Sequence, residues 1–147
     1  MASVSKYNTA ALNQYNGSAV NYTADTIKVA LVTSSYTPSA TDTFFSTPAA
    51  NEVSGTNYTA GGATIGSISA TQSSGTVTVS GNNVSWSQSG TGFSTARYAI
   101  IYKSTGTNST SPLIGWIDLG GNVGNVSGTL TVEWNGGITS GTIFTAS

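Results

Sequence analysis

Nine side chains carry all the formal charge of this 147-residue sequence: Lys6, Lys28, Arg97 and Lys103 against Asp25, Asp42, Glu52, Asp118 and Glu133, with no histidine and no cysteine. Proton transfer near neutral pH draws on histidine or on carboxylates of shifted pKa, and zinc sites draw on Cys and His. A Ser-His-Asp or Cys-His triad is therefore excluded, and no Ser-x-x-Lys stands in for one. What remains is a pair of carboxylates of the glycosidase kind. Asp118 and Glu133 are best placed, each on the outward alternation of a predicted strand; the simpler reading of both is a solvated face residue. Asp25, Asp42 and Glu52 could converge through a long loop onto calcium, although no Asp-x-Asp-x-Asp-Gly pattern occurs. The pairs Gly61-Gly62, Gly120-Gly121 and Gly136-Gly137 lack the Lys-Ser/Thr of a phosphate loop and are read as turns. The expectation is a protein that is not an enzyme and needs neither cofactor nor metal.

Binding chemistry has more to work with. Arg97 is the single arginine; pairing with a carboxylate or stacking on an aromatic outweighs a ligand clamp. Trp86 and Trp134 alternate in phase with Val84 and Val132 and belong to a core. Trp116, with Tyr98 or Tyr102, could instead form a platform for a sugar. Phe44-Phe45 lies in a loop otherwise built of Ser, Thr, Asp and Pro, and is either a partner contact or an anchor for its own loop. Residues 1–25 hold Tyr7, Tyr15 and Tyr22, and the loop 34–62 holds Tyr36, Phe44 and Phe45. These six aromatics have no strand alternation to bury them, so they are the candidate partner-binding residues, with the arm expected to be dispensable for folding.

The elements that would position these residues are strands. Ile27–Thr33 places Ile27, Val29 and Leu31 on one face. Thr64–Ala70 alternates weakly. Thr76–Ser80 and Asn83–Ser87 flank Gly81-Asn82, which predicts a hairpin. Ala96–Lys103 is apolar on both faces and predicts a central strand; Leu113–Leu119 is likewise apolar on both sides and needs something to cover its second face. Thr129–Trp134 points Leu130, Val132 and Trp134 inward and Thr131 and Glu133 outward. Ile138–Thr145 closes the chain. The stretch 34–62 has no sustained period and predicts a folded-back loop with one short strand, and Thr9–Tyr15 predicts a short helix with Gly17 beyond its end.

Seven or eight short strands without a long helix bury their apolar faces best as an antiparallel β-sandwich, jelly-roll or immunoglobulin-like, over residues 26–147, preceded by an N-terminal arm or short helix over 1–25. Hydrophobic residues at 37% and a net charge of −1 separate the chain from disordered sequences. The same near-neutrality gives no drive toward nucleic acid or anionic lipid, and the short apolar runs predict no transmembrane helix. The opening residues lack an apolar core of the signal-peptide kind. Six Asn-X-Ser/Thr sequons, at Asn16, Asn21, Asn57, Asn83, Asn108 and Asn125, are what chance supplies in a chain so rich in Asn, Ser and Thr.

Several stretches taken together resemble a family of small virion structural proteins of tailed bacteriophages: Ile27–Pro38, Asn51–Gly62, Thr95–Lys103, Ser111–Gly120 and Leu130–Ile138, spanning roughly residues 25–145. The resemblance implies a non-enzymatic β-sandwich displayed on the virion, either a capsid decoration (cement) protein stabilising the outer shell or a receptor- or glycan-binding part of a tail fibre. It implies assembly in the bacterial cytoplasm, a homotrimer, and contact with the major capsid protein or another virion protein. It carries over no catalytic residue.

Overall fold

The computed structural model describes residues 4–13, 20–135 and 140–146. The architecture is all-β: antiparallel sheets packed into a sandwich, with two short helices. The larger sheet has five strands in the order β1 (Ser5–Lys6), β8 (Leu113–Val123), β7 (Ala96–Lys103), β2 (Ile27–Val32) and β3 (Ala63–Thr64). The opposing layer holds a three-stranded sheet, β10 (Ser140–Ala146), β5 (Thr76–Asn82) and β4 (Ser69–Ser73), and a ribbon of β6 (Val84–Trp86) with β9 (Leu130–Val132). A single bridge, Asn135 to Thr142, ties the chain just beyond the ribbon to β10. The helices are α1 (Asn8–Asn13) and the one-turn α2 (Ser46–Ala49).

The period of two decides what each strand buries. On β2, Ile27, Val29 and Leu31 enter the main core between the layers, where they meet Val79, Trp86, Val132, Trp134 and Ile143. Ala99 and Ile101 of β7 and Ile114 and Ile117 of β8 join them. The intervening residues of the same strands, Ala30, Val32, Ile100, Tyr102 and Leu113, are also buried, in a second core on the outer face of the five-stranded sheet. That face is closed by the chain's own arm and loop, through Tyr7, Tyr36 and Phe45. The five-stranded sheet is therefore the middle of three layers, which is why its central strands are apolar on both sides.

Three expectations are corrected, and the predicted short helix is present. Ten strands are present among the described residues, because β1 and β3, two residues each, carry no periodic signal. Gly81-Asn82 is not a hairpin turn: β5 runs through it, and β6 then leaves to pair with β9. The hairpin of that region is β4–β5, turning at Ser74-Gly75, both with positive φ (50° and 81°) as a two-residue turn of matching twist requires. The helix predicted at Thr9–Tyr15 is α1, Asn8–Asn13, and Tyr15 and Gly17 lie outside the described residues. The loop 34–62 contains a helical turn, and it is stitched to its neighbours by bridges from Val32 to Glu52 and from Phe44 to Pro112.

Candidate functional site

The described carboxylates other than Glu133 are engaged separately. Asp118, on β8 opposite Tyr98 of β7, takes a two-point contact from Arg97, Nε to Oδ1 at 2.9 Å and Nη2 to Oδ2 at 3.1 Å, and the Gly120 N–H at 2.8 Å. The guanidinium, then the Gly120 amide, hold its carboxyl below the usual aspartate range. A general acid needs the opposite shift. Glu133 follows β9 in the other layer and is exposed. Asp118 and Glu133 thus belong to different sheets, and the first is committed to Arg97.

The proposed calcium trio does not assemble. Partial burial works against the charge on Asp25, but the Asn21 N–H at 2.8 Å and Lys103 Nζ at 3.0 Å outweigh it and lower its pKa. Asp42 accepts the Tyr36 hydroxyl at 2.7 Å. Glu52 Oε1 accepts the Tyr58 hydroxyl at 2.5 Å and the Gly61 N–H at 2.8 Å. Among the described residues no group of three or more His, Cys, Asp or Glu is placed to hold a metal ion.

Of the six candidate contact aromatics, Tyr15 lies outside the described residues. Three of the other five are interior. Tyr7 is 1% exposed, Tyr36 5% and Phe45 0%. Phe45 stacks on Tyr102 with ring centroids 3.9 Å apart and planes at 2°, Tyr7 packs against Trp116 at 4.7 Å, and the Tyr7 and Tyr36 hydroxyls bond at 2.9 Å. Burial raises the pKa of both phenols. Tyr22 is half-buried, edge-on to Phe144 at 5.3 Å. Phe44 remains at the surface, 42% exposed. Of the residues considered for a sugar platform, Tyr102 is interior beneath Phe45, whereas Trp116, packed by Tyr7, and Tyr98, with the Arg97 guanidinium over its ring at 5.4 Å, are half-buried. A usable signal existed in the sequence. Two strands apolar on both faces demand a cover, and the unassigned aromatics of the arm and loop were the only material for it.

Three surface features were not anticipated. First, no charged residue stands between Glu52 and Arg97, nor in β9 or β10, so the second layer carries no formal charge apart from Glu133 beside it. Second, the register aligns hydroxyls on the outer face of the three-stranded sheet. Ser69 faces Ser80, Thr71 faces Thr78 and Ser73 faces Thr76, while Thr142 and Thr145 of β10 continue the rows beside Ser80 and Thr78. Third, an apolar cleft of about 590 Å³ opens between α1 and the inner face of that sheet, lined by Ala10, Ala11, Val77, Val79 and Ala146. Lys6 borders it, donating to the Thr145 carbonyl oxygen at 3.2 Å and lying over the Phe144 ring.

No helix among the described residues is long and apolar enough to cross a membrane. No protein-family model, curated protein or solved structure matches the chain.

Proposed function

We propose that this chain is a virion structural protein of a tailed bacteriophage, a capsid decoration protein that seats on the outer shell and stabilises it without catalysing a reaction. The observation that carries this reading is how the charged and aromatic groups are used. Arg97 is spent on Asp118, Lys103 on Asp25, and the buried tyrosines on Asp42 and Glu52, all within the fold. What the domain offers outward is an uncharged layer faced with hydroxyls, suited to presenting a surface in many copies. The resemblance of residues 25–145 to small phage virion proteins points the same way.

Binding to the major capsid protein and self-association are both parts of the proposal. The apolar second face of Leu113–Leu119, which a neighbouring subunit could have buried, is covered by Tyr7 and the Phe45 loop of the same chain. A trimer therefore has to draw on another surface. Among the described candidates, Phe44 and the half-buried Tyr22 are left to meet a partner.

The test is to mix the purified domain with undecorated phage capsids and image the particles by cryo-electron microscopy. Saturable density on the outer shell at regular lattice positions is the expected result. Density confined to a tail or fibre, or none at all on any virion part, overturns the assignment.

A further inference from the structure

Strand β4, Ser69-Ala-Thr-Gln-Ser73, is an edge. It pairs with β5 along one side only, and all five residues are exposed. Natural proteins protect such edges with lysine, proline, a bulge or a covering loop, because unpaired N–H and C=O groups invite another strand. Among the described residues none of these devices is present: β4 contains no charge and no proline, its register with β5 is unbroken, and no described backbone group outside β5 bonds to it. The edges of the five-stranded sheet, β1 and β3, are only two residues long, and β10, at the far side of the three-stranded sheet, has a broken register and a bridge to Asn135.

We propose that β4 is a homodimerisation edge, pairing antiparallel with β4 of a second copy about a two-fold axis through Thr71. The strand is suited to itself. An antiparallel register centred on Thr71 sets Thr71 opposite the partner's Thr71, Ser69 opposite the partner's Ser73, and Ala70 opposite the partner's Gln72. This is the self-complementary arrangement that a two-fold interface requires. Hydroxyl then meets hydroxyl on the outer face, extending the Ser/Thr rows across the axis, and such cross-strand pairs are favourable. No like charges are brought together, since the whole three-stranded sheet is uncharged. The result is one continuous six-stranded sheet. On its inner face, Val77, 39% exposed in the single chain, lies one strand from the junction, beside the apolar cleft. The inference rests on the edge itself and stands apart from the virion assignment.

The experiment uses the full chain in solution. Sedimentation equilibrium at about 0.1 mM, a range that detects association of modest affinity, should show a dimer. Thr71→Lys, which sets two ammonium groups face to face at the axis, should abolish it while leaving a cooperative melt, at the temperature of the wild type measured dilute enough to be monomeric. Because the chain has no cysteine, Thr71→Cys places a single thiol at the axis directly opposite the partner's, close enough for a disulfide after a small local adjustment. Mild oxidation should convert Thr71→Cys to a covalent dimer at least ten times faster than Thr107→Cys, in the exposed loop before β8. A wild-type monomer at that concentration overturns the proposal. So does a wild-type association state that Thr71→Lys leaves unchanged, or equal cross-linking of the two cysteine variants.

Discussion

Phe44 and Phe45 are neighbours in the chain with opposite environments, and the difference sets their mutational behaviour. Phe45→Ala removes a ring stacked flat on Tyr102 and opens a cavity in the outer core, so urea unfolding should show a loss of about 3–5 kcal/mol. Phe44→Ser strips an exposed ring whose backbone bridge to Pro112 survives, and the same measurement should change by about 0.5 kcal/mol or less. Asn125 is a second residue where small chemistry carries much structure. Fully buried, it accepts the Phe93 N–H at 2.9 Å and donates to the carbonyl oxygens of Ser87 at 2.9 Å and Thr56 at 3.1 Å, pinning three loops. Asn125→Ala leaves those groups unpaired and should cost about 2–3 kcal/mol; the same burial removes Asn125 from use as a glycosylation acceptor. The tyrosines govern pH behaviour. Burial raises Tyr7, Tyr36, Tyr58 and Tyr102, and pushes Tyr22 up to about 12, from an ordinary phenol value of 10.0. A phenol that keeps its proton more tightly when folded supports the fold fully below the unfolded value and loses that support as pH rises past it. Stability should therefore hold to about pH 9 and fall steeply above pH 10, with phenolate absorbance appearing together with unfolding. In acid, Asp118 and Asp25, both lowered, lose their contribution as pH drops below the ordinary aspartate value.

Among the elements, the edge at β3 depends on Gly62. Its φ is +75°, and a Cβ there would collide with the Val29 carbonyl oxygen, a backbone atom that cannot step aside. Gly62→Ala should lower stability by about 2 kcal/mol or more and loosen the β2–β3 pairing, seen as faster amide exchange at Ile65, whose N–H bonds the Ile27 carbonyl oxygen. Strands β2, β7, β8 and β9 were legible in the sequence because their alternation, or its absence on two-sided strands, reports burial directly. The course of β5 into β6 was not. The inward positions shift from odd (Val77, Val79) to even (Val84, Trp86) across Asn82-Asn83, and a hairpin and a change of partner sheet produce the same shift. Helix α2 and the burial of Tyr36 and Phe45 escaped because a loop docked on a sheet follows no period; its order comes from the surface beneath it. The charge pairs were half legible: Arg97 was expected to find a carboxylate, but only the β7–β8 register names Asp118.

For the whole molecule, the arm is part of the fold and not an appendage. Removing residues 1–13 takes away β1 and Tyr7, and with them the cover over Trp116, Leu113 and Ile100. The truncated chain should lose about 3 kcal/mol or more, melt roughly 10 °C lower, and bind a hydrophobic dye in its folded state. An unchanged melt would mean that the outer core does not need the arm. The same pairing also imposes an order in time. The arm is synthesised well before β8, yet Ser5 pairs with Trp116 and the Tyr7 N–H bonds the Ile114 carbonyl oxygen of that later strand. Closing so long a loop is slow. The arm must wait for β8 before it can dock, and during that interval a nascent or refolding chain carries the apolar back of its central sheet uncovered.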